Sequence, residues 1–164
     1  MYQFFIQPDS VKEKEVWITD LQDVNHIRNV LRMKKGEKIS LCCEEKGKEY
    51  ICSIEDMQSD IVKAVIVDIN GESRELPVKI TLFQGLPKND KMELIIQKAV
   101  ELGVTGIVPM ATKRAVVKLD AKKAAKKTER CRIIAESAAK QSGRGIVPEI
   151  TEPVTFAQAI EMAK

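Results

Sequence analysis

The sequence predicts an α/β protein with a small β-barrel at its N-terminus. Three observations carry that expectation. Residues before 70 fall into short β-branched and apolar runs separated by turn residues. From Val78 to Met110 the pattern changes to strand, helix, strand. Between the two, "NGESRELP" (Asn70–Pro77) is polar and ends in proline, which places a domain boundary there. The domains expected are residues 1–70 and 76–164.

In the first half, Tyr2–Ile6 and Val16–Ile18 read as short strands. Thr19 or Asp20 caps a helix in which Leu21, Val24, Ile27 and Leu31 share one face. The turn "KKGE" leads into a strand over Lys38–Cys43, and "EEKGK" folds it back into Glu49–Ile54. Ile61–Ile69 adds another strand. Short antiparallel strands around one helix predict a closed barrel.

In the second half, Val78–Gln84 is a strand ended by Gly85 and Pro87. Asp90 stands at an N-cap position, with Glu93 three residues on, close to a capping box. Met92, Ile95, Ile96 and Ala99 keep the spacing of a buried stripe. Leu94 and Val100 lie off it, which predicts cover on more than one side. Gly103 suits the left-handed position after the last turn. Val104–Met110 then returns as a strand, completing a right-handed βαβ unit with a parallel pair. From Asp120 the chain is helical, with Cys131, Ile134, Ala135 and Ala138 on one face and Gly143 at its end. "IVPEI" is extended, and "VTFAQAIEMAK" begins a further helix through Phe156, Ile160 and Ala163. A parallel sheet needs both faces covered, yet only two parallel strands are evident. This half reads as a domain cut in its middle.

Composition sets the class. Hydrophobic residues make up 44% and charged residues 31% of the 164, an ordinary globular balance. No apolar run spans a bilayer and no signal peptide opens the chain, so a cytoplasmic protein without membrane contact is expected. The four cysteines (Cys42, Cys43, Cys52, Cys131) form no CxxC and have one histidine for company, which argues against metal. Reduced thiols are expected, although a hairpin would bring Cys42 and Cys52 within reach of each other.

The net charge of +3 hides an asymmetry. Lys113–Arg144 carries eleven Lys or Arg against Asp120, Glu129 and Glu136, a local +8 that leaves −5 for the rest. A solvated helix face and a phosphate-facing surface both produce that pattern. In open α/β sheets ligands gather beyond the carboxyl ends of the strands. Two segments reach that edge, one carrying Lys88 and Lys91 and the other Lys113, Arg114 and Lys118. Five cations on one edge favour a phosphate or RNA contact. No GxGxxG and no GxxxxGK[ST] occurs, so no dinucleotide or P-loop site is implied. His26 shares its helix with Arg28 and Arg32. It is either a polar position beside the barrel or part of a basic lip with Arg32, Lys34 and Lys35. No Ser–His–Asp, Cys–His or paired-carboxylate arrangement stands out.

"HIRNVLRMKKGEKI", "GLPKNDKMELIIQKAVELGVTGIVP", "KRAVVKLD" and "AESAAKQSGRGIVPEI" together resemble the RsmE family of 16S ribosomal RNA (uracil-N3) methyltransferases. The resemblance covers the whole chain in order. It implies a PUA-like RNA-binding barrel followed by a SPOUT-class α/β domain whose C-terminal trefoil knot binds S-adenosyl-L-methionine, acting as a homodimer on the small ribosomal subunit. The cations read above are then assigned roles. Arg114 would stabilise the base anion at N3 or a phosphate close to it. His26, Arg28, Arg32, Lys34, Lys88, Lys91, Lys113, Lys118 and Arg144 would hold RNA.

Four positions depart from the family pattern: Gln3 for a usual Arg, Asn89 for Gly, Cys131 for Trp and Lys140 for Glu. The family's "GPEGG" and "LGxRILRxETA" motifs, which build the knot, do not occur between Met1 and Lys164. An incomplete SPOUT domain is therefore expected. With it goes a chain that does not bind the methyl donor and is inactive alone, leaving an RNA-binding fragment as the alternative.

Overall fold

The computed structural model describes residues 1–43, 47–71, 75–87, 91–112 and 121–164, the side chains of residues 121 and 122 excepted. The chain forms two compact units, Met1–Arg74 and Glu75–Lys164.

The first unit is a five-stranded sheet in the order β1-β3-β4-β5-β2. Its strands are β1 (Tyr2–Phe5), β2 (Glu15–Ile18), β3 (Lys38–Cys43), β4 (Lys48–Met57) and β5 (Val62–Asn70). The strand path is open, with β1 and β2 at its ends, so the predicted closed barrel is a curled half-barrel. The antiparallel expectation also fails at one pair. β1 runs parallel to β3, with Tyr2 opposite Ile39 and Phe5 opposite Cys42. Two register shifts between β4 and β5, after Ile51 and after Ile54, supply the bend. Alternate residues Val16 and Ile18, Ile39 and Leu41, and Cys52 and Ile54 point into one core. The helix α1 (Leu21–Asn25) closes that core with Val24, and the turn after it adds Ile27. Leu21, assigned to the same face, is exposed.

The second unit is a wholly parallel sheet built on β7 (Gly106–Ala111). β6 (Thr81–Gly85) pairs with one side of it, Thr81 opposite Gly106 and Gly85 opposite Met110. β8 (Glu149–Ile150) and β9 (Val154–Thr155) pair with it in turn. Four strands thus replace the two expected. Three residues separate Ile150 from Val154, whereas two separate their partners Ile107 and Met110, so the β8–β9 run carries a one-residue bulge. Pro109 lies in that interval of β7. Having no N–H to give a ladder, it accounts for the break between β8 and β9.

Two helices pack together in this unit: α2 (Lys91–Glu101) and α3 (Ala121–Ser142). Met92, Ile96 and Val100 are the fully buried line of α2, while Leu94 is exposed. Val100, assigned to a second side, thus belongs to this one buried line, and Leu94 has no cover among the described residues. α3 buries Thr128, Cys131, Ala135, Ala138 and Ala139. Gly103, at φ 96°, ends α2 in the left-handed region. A Cβ there would also stand 2.6 Å from Leu76 Cδ1, so the residue is doubly constrained. The last helix, α4 (Phe156–Met162), opens on a capping box between Thr155 and Gln158. Its apolar face departs from the expectation: Ala159 is buried, but Phe156 and Ile160 are exposed.

All four cysteines are buried and none is in a disulfide. Burial pushes the Cys52 thiol up to about 12.

Candidate nucleic-acid interface

The lip of the first unit grows from one cap. Asp20 Oδ1 accepts the backbone N–H groups of Gln22 and Asp23 at 2.9 and 3.0 Å, which starts α1. After Asn25 the helix widens into a π-helical turn, His26–Val30, and the Leu31 N–H reaches back to the His26 carbonyl at 2.8 Å. The Met33 N–H then bonds the Ile27 carbonyl at 3.0 Å. Closing this wide turn forces the residue between into the left-handed region. That residue is Arg32, at φ 52°, and it is the one non-glycine with positive φ among the described residues. Such a conformation costs of order 1 kcal/mol for a residue with a Cβ.

The chain is fixed again immediately. The Lys34 N–H donates to Glu37 Oε2 at 2.8 Å, and the Gly36 N–H to the Ile54 carbonyl at 2.8 Å. Between these anchors His26, Arg32, Lys34 and Lys35 are exposed and Arg28 is half-buried. His26 sets its ring edge-on to Phe4, centroids 6.0 Å apart and planes at 87°. None of Arg28, Arg32 and Lys34 forms an ion pair with the described residues. The segment 26–34 thus presents unpaired cations on a short, hydrogen-bonded frame.

The second unit treats its predicted residues differently. Lys91 is the exposed first residue of α2. Lys88, Lys113, Arg114, Lys118 and the expected cap Asp90 lie outside the described residues. Arg144 needs correction. Assigned to RNA from its sequence, it is 6% exposed, and its guanidinium is consumed inside the unit. Its Nη2 pairs with Glu75, and its Nε donates to Glu75 Oε2 at 3.1 Å. Its Nη1 donates to the carbonyls of Val100, at 3.2 Å, and Val104. The neighbouring Gly145 N–H completes the arrangement on Glu75 Oε1 at 2.8 Å. This lock ties the start of the unit to the ends of α2 and α3, and leaves no guanidinium face for a phosphate. Sequence reading missed it because Glu75 lies in a polar stretch that looked like linker. Of the departures from the family pattern, Gln3 is buried on β1 and Lys140 pairs with Glu136 at 2.8 Å, while Asn89 lies outside the described residues.

Among the hollows formed by the described residues of this unit, two stand out. One, of about 510 Å³, lies beside α4 and is lined by Val154, Ala157, Gln158, Glu161 and Met162. Its carboxylate pairs with Lys164 at 2.7 Å, and Gln158 is held in the capping box. The other, of about 280 Å³, lies between α2 and α3 and is rimmed by lysines. Among the described residues no three His, Cys, Asp or Glu are placed to hold a metal, and no helix is long and apolar enough to cross a membrane.

A curled sheet joined in one chain to a parallel α/β unit defines a PUA-like and SPOUT-type architecture. Residues 74–164 match the RNA methyltransferase domain family and residues 18–67 the RNA methyltransferase PUA domain. The chain belongs to that RNA methyltransferase family, on the ribosomal RNA small subunit methyltransferase E (RsmE) branch. It is 40% identical to ribosomal RNA small subunit methyltransferase E of Bacillus subtilis, over 98% of this chain and 63% of that protein. It is 31% identical to the enzyme of that name from Synechocystis, over 98% of this chain and 50% of that one. The crystal structure of the Neisseria gonorrhoeae enzyme bound to S-adenosyl methionine superposes with a TM-score of 0.85 at 34% identity, covering 98% of this chain and 65% of that one. A Legionella pneumophila methyltransferase in complex with the same cofactor gives 0.86 at 34% identity, over 99% and 66%. The chain thus spans between half and two thirds of the length of these relatives.

Proposed function

We propose that this chain is the RNA-receiving part of an S-adenosylmethionine-dependent enzyme that methylates a uridine N3 in 16S ribosomal RNA. The setting is the cytoplasm, and the working form is a homodimer. The reading rests on one observation above others: the unpaired cations of segment 26–34, held on a hydrogen-bonded frame in the PUA-like unit. Phosphate contacts of this kind fix register, while chemistry proceeds elsewhere. For the reaction, the N3 proton must leave as the methyl group arrives. A nearby cation lowers the cost of the base anion, and Arg114 is assigned that part. Lys88, Lys91, Lys113 and Lys118 position the strand.

A second reading is an RNA-binding fragment without catalysis of its own. It asks only for the cationic segment 26–34 and for no donor pocket. The two readings part in one experiment on the 164-residue chain, in which calorimetry with S-adenosylmethionine runs beside methyl transfer to small-subunit ribosomal RNA. No heat at micromolar donor and no transfer are expected, with RNA binding retained. Both activities should return when a segment carrying the family's two missing motifs is supplied, covalently or co-folded. Micromolar donor binding by the chain alone would overturn the assignment of the donor site to those motifs.

A further inference from the structure

The groove between α2 and α3 has a built interior that the lysine-rich sequence did not reveal. Its floor is apolar, made by the buried Met92 and Cys131. Its rim is cationic, with Lys123, Lys126, Lys127 and Arg130 all on α3. The carboxylate on its wall, Glu93, is taken by Arg130 Nε at 2.7 Å. That pair cancels and leaves Lys126 and Lys127 over an apolar floor. Lys126 and Lys127 have no ion-pair partner among the described residues. The rim is felt at the floor. Burial raises the Cys131 thiol while Lys127 and Arg130 pull it down.

Shape and charge together narrow the ligand. A volume of about 280 Å³ lies at the small end of ligand pockets, enough for one nucleotide and too small for a dinucleotide cofactor. Positions 123, 126, 127 and 130 follow i, i+3, i+4, i+7, one face of a helix. At 1.5 Å per residue that row is about 10 Å long, more than one phosphate requires. A bare anion has no use for the Met92 and Cys131 floor, and a purely apolar ligand has none for the lysines.

We infer that the α2–α3 groove receives one nucleotide of a single-stranded RNA segment, its base against Met92 and Cys131 and its flanking phosphates along Lys126 and Lys127. This rests on the RNA-binding reading above and gives it a second contact region, separate from the lip at 26–34.

Binding of a uridine-containing single-stranded RNA of about eight nucleotides by the full 164-residue chain tests it. Fluorescence anisotropy across a salt series is measured for the wild type, Cys131→Trp, Lys126→Gln/Lys127→Gln and Arg28→Ala. Cys131→Trp fills the groove without changing charge. It should weaken binding roughly fivefold, the low end for loss of one base contact, with the salt slope unchanged. The lysine pair should lower the slope by about 1.4, two single-strand phosphate contacts. The Met92 methyl resonance should shift on RNA addition in the wild type, which reads the site even if the tryptophan variant fails to fold. Wild-type affinity in a folded Cys131→Trp variant overturns the nucleotide site, and so does an unmoved Met92 methyl. If Arg28→Ala still loses affinity, the lip survives that result. No RNA binding by the wild type removes both.

Discussion

Two arginines, Arg32 and Arg144, look alike in the sequence, each in a Lys/Arg-containing stretch beside a helix end. In the folded chain they are opposites. Arg32 is exposed in a left-handed conformation that a glycine would hold more easily, and it bonds to no carboxylate among the described residues. Arg144 is buried, paired with Glu75 and bonded to two carbonyls. The first unit bears a local conformational cost to present a cation, whereas the second spends a cation on holding itself together. Charge counted along a sequence cannot separate the two. Burial and backbone strain do.

The largest effect should come from the lock. Arg144→Ala takes the charged partner from the half-buried Glu75 carboxylate, and removing one member of a buried pair typically costs about 3–5 kcal/mol. Urea denaturation should show that loss in the second unit alone. Replacing both partners, as in Glu75→Leu/Arg144→Met, should recover most of it. If Arg144→Ala left stability unchanged and weakened only RNA binding, the contrast between the arginines would collapse.

A smaller effect separates the units by pH. The Cys52 thiol rises in the folded first unit from 9.0 to about 12 because burial disfavours the thiolate. Its contribution to stability is therefore complete below pH 9.0 and is lost progressively as pH rises towards 12. The melting temperature of the first unit should fall between pH 8 and pH 10.5, and Cys52→Val should flatten that fall. An equal decline in both proteins would assign the alkaline loss to other groups.

How much of this was legible depended on range. Lys38–Cys43 is a strand with the boundaries its alternation predicts, and Asp20 caps the helix as its position before the apolar stripe suggests. These are local signals, settled within a few residues. β8 and β9 are two residues each, too short to show a period, and they exist because β7 offers a neighbour. The parallel pairing of β1 joins residues far apart in the chain, and no turn announces it. The site divides in the same way. The lip at 26–34 was visible as a run of cations, but the strain at Arg32 arises from a π-helical turn that propensity does not foresee. Arg144 was misread because its partner is 69 positions away. The groove was hidden because lysines at i, i+3, i+4 look the same over a cavity as over solvent.

The account stands most directly on Arg32→Gly, measured for folding and for RNA affinity in the same preparation. Glycine relieves the left-handed strain, so the first unit should gain up to about 1 kcal/mol against urea. On the proposed reading the same change removes a phosphate contact. Affinity for single-stranded ribosomal RNA should therefore drop, and the salt slope should fall by about 0.7. Stability up and RNA affinity down is the predicted result. Wild-type affinity and slope in Arg32→Gly would contradict the central claim that this strained residue is kept for RNA.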